Sequence, residues 1–266
     1  MKQCDHLTID LMKSLSIVIP VYNEEQRIKK CFNALEKFKP PKEVEIDRVI
    51  FVSDGSDDLT NSKIKSFILK SKKYNVRLVS YRQNKGRGYA LKLGMTEATG
   101  DYALWLDADM STPLSQVNKF LPFMKKNIPV IIGSRKIKGA VTTKRQPLHR
   151  ILLGQGFSKL SEIMLEVPVG DFTCGFKAFS KYAYSAIFPK CKINGCGNDS
   201  ETLFLAKKFN LLIAEVPIIW RNDARSKVKI LRDIFVSFFD LCKIRYYDVM
   251  GLYEIKKLGD FAFESV

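Results

Sequence analysis

No stretch of this 266-residue chain approaches the ~20 mostly apolar residues that a membrane-spanning helix needs. The longest candidate, Ile230 to Tyr247, is broken by Arg232, Asp233, Asp240 and Lys243, so any contact with a bilayer is expected along its surface. Histidine is scarce, and His149, set between Leu148 and Arg150, reads as a packing or hydrogen-bonding residue rather than a metal ligand. The six cysteines (Cys4, Cys31, Cys174, Cys191, Cys196 and Cys242) are scattered, and no secretory signal opens the sequence. Reduced thiols and a cytoplasmic setting are the expectation. Only Cys191 and Cys196 lie close together, and without a second pair at ligand spacing they make a poor zinc site. The chain also lacks internal repeats, low-complexity segments, and the aromatic-rich motif or basic recognition helix of a nucleic-acid-binding protein.

What is abundant is positive charge: 44 Lys and Arg against 28 Asp and Glu, formally +16. Such a surplus favours an anionic partner, whether nucleic acid, phosphates or acidic lipid. Apolar residues at 46% and charged residues at 27% match ordinary globular usage, so the chain is expected to fold. Its length suits one α/β body with a tail. We divide it into a lead-in over residues 1–15, a body over 16–225, and a tail over 226–266.

The apolar run Ser16-Ile-Val-Ile-Pro-Val-Tyr22 reads as a buried parallel strand, and Asn23-Glu24-Glu25 opens a helix whose apolar face is Ile28, Cys31, Phe32 and Leu35. The unit repeats: strand Arg48 to Val52, turn Ser53-Asp54-Gly55-Ser56, and a helix from Leu59. It repeats again with strand Val76 to Ser80, the Gly-rich turn Asn84 to Gly88, and a helix through Ala90, Leu91 and Met95. A fourth strand, Tyr102 to Leu106, ends in Asp107-Ala108-Asp109. A helix through Val117 and Met124 leads to strand Val130 to Ile132, and the basic stretch Lys136 to Gln146 reads as a mobile loop. A helix from His149 to Leu165, the segment Asp171 to Phe179, a loop from Asn194 to Asn198, a helix from Ser200 to Phe209 and a strand from Leu211 to Trp220 follow. Alternating strands and helices predict a mostly parallel sheet flanked by helices, with ligands bound at the carboxyl ends of its strands.

Asp107 and Asp109 fall on the same side of an extended chain, spaced to hold one hard divalent cation by oxygen ligands. A cation there would neutralise charge building on a diphosphate leaving group, and capping of the next helix is the alternative use of the same pair.

Four segments occur in order, each at a predicted strand end: Ser16 to Glu25, Ser53 to Asp58, Asn84 to Ala90 and Asp107 to Ser111. Together they resemble the nucleotide-binding half of the inverting GT-A glycosyltransferases of family 2. The resemblance implies that Pro20, Tyr22 and Glu24 border the nucleoside, that Asp54 sits at the base edge, and that Lys85, Arg87 and Gly88 face the nucleotide. Asp107 and Asp109 would then serve ribose, diphosphate and a magnesium or manganese ion.

Later segments are similar to the polyprenyl-phosphate sugar transferases, first their dolichyl-phosphate β-glucosyltransferase branch and then the mannosyltransferases. They are Gly133-Ser134-Arg135, Arg150, Asp171 to Phe179, Asn198-Asp-Ser-Glu201 and Val216 to Trp220 followed by Ser226-Lys-Val228. Ser111 departs from the Gln that the mannosyltransferases carry beside the metal, and this sequence shows no membrane-spanning helix of the kind that usually opens the glucosyltransferase branch. The resemblance implies a UDP-glucose donor, a lipid-phosphate acceptor and a site on the cytoplasmic face of a membrane.

A phosphate monoester with a second pKa of ~6 is largely ionised at neutral pH and needs positioning rather than deprotonation. Arg135 and Arg150 can hold its oxygens by charge-assisted hydrogen bonds. If a sugar hydroxyl were the acceptor instead, a carboxylate base would be required, and Asp199 or Glu201 are the candidates, each readable equally as part of a helix amino terminus. Asp171 reads either as a bond to the donor sugar or as part of a turn. In the tail, Leu231, Ile234, Phe235, Phe238, Leu241 and Cys242 share one helical face, suited to an anionic interface or to packing on protein.

Overall fold

The computed structural model describes residues 12–144, 148–222 and 230–254, with the side chains of 148–150 and 230–234 outside that description. Nearly all of the lead-in, Ser226 to Val228, and the side chains of His149, Arg150, Leu231 and Ile234 therefore lie outside the described residues.

Strands β1 (Lys13–Val21), β2 (Val44–Asp54), β3 (Val76–Tyr81) and β4 (Tyr102–Leu106) alternate with helices α1 (Ile28–Lys37), α2 (Thr60–Lys70) and α3 (Arg87–Thr96). Helix α4 (Val117–Lys125) leads to β5 (Val130–Ser134). After β6 (Val141–Lys144) and α5 (Leu148–Leu165) come β7 (Phe176–Ser180), α6 (Lys181–Ile187), α7 (Asn198–Lys208), β8 (Ile213–Pro217), β9 (Ile219–Arg221) and α8 (Ile230–Val249).

Seven strands form one sheet in the order β3-β2-β1-β4-β7-β5-β8, parallel except for β7, which runs antiparallel between β4 and β5. The mostly parallel, helix-flanked sheet expected from the alternation is present. The central strands are buried on both faces: Ile17, Val18 and Ile19 of β1 and every residue of β4 are shielded, which is why they read as unbroken apolar runs. One core lies under α1, α2 and α4, where Phe32 stacks on Phe67 at 4.2 Å between ring centroids. The other lies under α3, α5, α6, α7 and α8. Between β1 and β4 the strand order reverses direction, which opens a crevice at their carboxyl ends.

Four expectations are corrected. The first strand starts at Lys13, inside the lead-in. The basic stretch after Lys136 contains β6, which pairs in parallel with β9 in a second, two-stranded sheet. All four β6 residues are exposed, so no alternation marked the strand. The single strand read over Leu211 to Trp220 is two: Ile218 leaves the main sheet, its amide reaching Ser134 O at 3.1 Å and its carbonyl taking the Val141 amide at 3.0 Å.

The tail helix is also turned relative to its expected face. Ser237, Asp240, Leu241 and Ile244 are buried, whereas Phe235 (66% exposed), Phe238, Phe239 and Cys242 face outward. Asp240 can lie inward because it packs on glycine: a Cβ at Gly197 would come within 2.4 Å of the Asp240 Cβ.

Candidate active site

The crevice is built by two sharp exits from the sheet. Asn23 after β1 and Met110 after β4 both adopt left-handed backbone, each at φ 52°, a conformation asparagine tolerates and methionine holds only where the surroundings enforce it. The Met110 amide bonds Asp107 O at 3.2 Å and the Ser111 amide bonds Asp109 Oδ1 at 2.8 Å, which orients the second carboxylate. Lys30 of α1 donates to the Asp109 carbonyl. Burial and the neighbouring negative charge of Asp107 together push the Asp109 carboxyl above its ordinary value. A pair that resists carrying two negative charges gains from a cation.

Among the described residues no group of three His, Cys, Asp or Glu converges on one point. The chain would therefore supply two hard carboxylate ligands to a divalent ion, leaving other positions to diphosphate oxygens or water. That donor set fits magnesium or manganese and not zinc, and Cys191 and Cys196, one buried and one exposed, do not add to it.

Arg87, the first residue of α3, reaches across the crevice. Its Nη2 bonds Asp107 Oδ1 at 2.7 Å, its Nη1 bonds Asp199 Oδ2 at 2.8 Å, and its guanidinium lies 4.6 Å from the Trp105 ring centroid. The other Asp199 oxygen accepts from Lys177, a fully buried lysine that also donates to Phe172 O (2.9 Å) and Cys174 O (2.8 Å). Lys177 stands opposite Trp105 in the β4–β7 ladder, its ammonium 4.5 Å from the indole. Gly175 closes the remaining side: a Cβ there would fall 1.8 Å from Asp107 Oδ2.

Several expected nucleotide contacts sit in this crevice with a different local role. Pro20, near the end of β1, and the exposed Tyr22, just after it, lie at its lip. The Glu24 carboxylate is mostly buried and taken by Arg27, whose Nε lies at 2.6 Å. Asp54, expected at the base edge, is buried. It accepts from the Tyr81 hydroxyl (2.9 Å), the Asn84 side-chain amide (3.1 Å) and the backbone amides of Lys85 (2.7 Å) and Gly86 (3.0 Å). With about four acceptor sites on a carboxylate, Asp54 is filled by the turn that carries Lys85 and Arg87. Lys85 itself is exposed, its ammonium 4.5 Å from the Tyr89 ring centroid. Gly88 permits packing rather than facing a ligand, because a Cβ would meet Ile193 O at 2.5 Å.

In the second half, two carboxylates with two open readings are engaged within the protein. Asp171 is fully buried and bound bidentately by Arg135, through Nε to Oδ2 and Nη2 to Oδ1, both at 2.7 Å. It can act on a donor sugar only through Arg135. Burial pushes its carboxyl up, but the charge and hydrogen bonds of Arg135 outweigh this and hold it well below the carboxylate range. Arg135 also bonds Thr173 Oγ1 at 2.8 Å and lies 5.3 Å from the Trp220 ring centroid.

Glu201 is fully buried, accepting from the amides of Lys192 (2.7 Å) and Ile193 (2.9 Å) and from the Tyr253 hydroxyl (2.6 Å). It fastens the loop ahead of α7 and presents no surface to an acceptor. Arg150 lies in α5, with its side chain outside the described residues.

The profile of glycosyl transferase family 2 matches residues 16–188, the span that carries every strand-end motif of the crevice. The chain belongs to this family. It is therefore a glycosyltransferase, and the hexosyltransferase class expected from its motifs stands. It is 32% identical over 252 residues to the dolichyl-phosphate β-glucosyltransferase of Dictyostelium discoideum, covering 91% of this chain and 77% of that one. The Saccharomyces cerevisiae protein of the same name is 31% identical over the same shares. Among solved structures, glucosyl-3-phosphoglycerate synthase from Mycobacterium tuberculosis with Mn2+, UDP-glucose and phosphoglyceric acid superposes with a TM-score of 0.63. That likeness covers 87% of this chain and 79% of that one at 17% identity, and shows the shared GT-A fold.

Lys177 and Gly175 were missed as site residues in the sequence, although both lie in the segment Asp171 to Phe179. The available signal was a lysine in an otherwise apolar strand, since a fully buried ammonium requires partners for all its protons.

Proposed function

We propose that this transferase moves glucose from UDP-glucose to a polyprenyl phosphate of the dolichyl type, inverting the anomeric carbon, with magnesium or manganese held by Asp107 and Asp109. The relatives' names supply the donor sugar and acceptor class. The observation that carries the acceptor choice is the state of the two candidate bases: both Asp199 oxygens are held by cations, and Glu201 is enclosed. A sugar hydroxyl needs a base to take its proton, whereas an ionised phosphate needs only placement.

Arg135 suits placement, since Asp171 and Trp220 fix its plane while Nη1 has no partner among the described residues. Arg87 and Lys85 supply positive charge on the donor side. A bound divalent ion would offset the charge that develops on the departing diphosphate. Attack from the face opposite that diphosphate gives a β-linked product from an α-linked donor.

The test is a panel of UDP- and GDP-hexoses with magnesium or manganese, offered a short polyprenyl phosphate or a glycolipid hydroxyl, and read by mass spectrometry. Glucosyl phosphoryl polyprenol from UDP-glucose is the expected product. Transfer only to the hydroxyl acceptor would overturn the assignment in favour of a family 2 transferase of saccharide synthesis.

We also assign the outward face of α8 to the surface of a membrane on its cytoplasmic side. Phe235, Phe238, Phe239 and Tyr246 are exposed on it, no described helix is long and apolar enough to cross a bilayer, and the chain is strongly basic. Vesicles containing acidic lipid are expected to sediment more of the protein than purely zwitterionic ones. Equal, low recovery with both kinds rejects this placement.

A further inference from the structure

The Arg87 bridge places a resident cation on Asp107, one of the two carboxylates read as metal ligands. Oδ1 is 2.7 Å from Arg87 Nη2, and Oδ2 lies against Gly175. Asp107 keeps 38% of its side-chain surface, so an incoming ion meets it with a guanidinium already bound to one oxygen. The other end of the bridge is firmer. Asp199 is anchored by Lys177, whose three protons are taken by Phe172 O, Cys174 O and Asp199 Oδ1, and which is wholly buried. The Arg87 side chain retains 26% of its surface and rests on Trp105.

We propose that Arg87 is a metal gate: it competes with the divalent ion for Asp107 and makes metal binding depend on the nucleotide, with the Asp199–Lys177 pair as its fixed pivot. On arrival of a diphosphate, Nη1 keeps Asp199 while Nη2 passes from Asp107 to a diphosphate oxygen. Asp107 is released to the ion in the same event. No bond is made or broken beyond these hydrogen bonds, and one positive charge serves first the aspartate and then the leaving group. Lys177 acts as a positioning residue, because it touches neither. The inference deepens the metal-assisted reading above and rests on it.

The experiment is a titration of Mn2+ into the full chain, with free ion read by electron paramagnetic resonance, first without nucleotide and then with UDP. Without nucleotide, R87Q is expected to bind Mn2+ roughly tenfold or more tightly than the parent, as expected on removing a charge-assisted hydrogen bond that competes for the ligand. UDP should tighten Mn2+ binding strongly in the parent and much less in R87Q. R87K keeps the charge without spanning both carboxylates and should fall between them, which guards against misfolding of the neutral variant.

Parent-like Mn2+ affinity without UDP in both folded variants overturns the gate. A separate arm isolates the underlying reading: if D107N binds Mn2+ with UDP as the parent does, the metal pair itself is wrong. If D107N abolishes binding and the Arg87 variants change nothing, the gate alone fails.

Discussion

Gly175→Ala is expected to lower kcat/KM by about a hundredfold or more while leaving the melting temperature almost unchanged, because displacement of a reacting group by ~1 Å can carry a cost of this size. The added methyl would fall 1.8 Å from Asp107 Oδ2 and 2.4 Å from its Cγ, so the carboxylate must swing aside. The backbone at this position is not in the left-handed region, so alanine meets no conformational penalty of its own. Thus the damage should be confined to the side chain it strikes, and Mn2+ affinity in the presence of UDP should fall with kcat/KM. Steady-state kinetics beside a thermal melt checks both halves, and near-parental kcat/KM in a folded Gly175→Ala protein would show that the Asp107 orientation does not matter to transfer.

Replacing Arg135 by glutamine is expected to abolish transfer to lipid phosphate and to destabilise the fold by about 3–5 kcal/mol, the usual cost of leaving a buried charge without its partner. Asp171 has no exposed surface, and the Arg135 guanidinium, bound to both its oxygens, is the main group that keeps it charged. In the parent its carboxyl is held below the ordinary value, so its stabilising contribution is present above the unfolded value of ~3.9 and is lost as pH falls toward the depressed one. In R135Q the backbone amide of residue 135 and the charge of Lys136 remain, but the guanidinium that offset burial most is gone, so the carboxyl rises. The penalty is then largest near neutrality and is relieved as pH falls through the raised value. Urea midpoints at neutral pH and near pH 4 measure this, and the gap between parent and variant should narrow in acid. A constant gap would mean that the lost stability has a source other than the Asp171 charge.

Much of the donor half was legible because its signals are local. An apolar run followed by Asn-Glu, Ser-Asp-Gly or Asp-Ala-Asp marks a buried strand and its polar exit, and parallel strands place all such exits on one edge. Pro20, Tyr22, Lys85, Arg87, Asp107 and Asp109 accordingly sit at the crevice. Local pattern could not say which acidic residues stay available to a ligand. Asp54, Asp171 and Glu201 each admit a ligand-facing role from sequence, yet each meets donors 8 to 52 residues away, and these fill its oxygens. The outward turn of α8 was hidden for a related reason: its periodicity showed an apolar stripe, but Asp240 packs inward on Gly197 while Phe235, Phe238 and Cys242 of that stripe face outward and Leu241 stays buried.

By itself, then, the sequence determined the layered α/β architecture, the family, and the carboxylate pair at the end of β4, because these follow from periodicity and from residue types at strand ends. Only the tertiary structure decided which charges neutralise one another: Arg87 between Asp107 and Asp199, Lys177 beneath Asp199, and Arg135 on Asp171. Ion pairing depends on separations of a few ångströms between residues far apart in the chain, and no linear spacing encodes those separations.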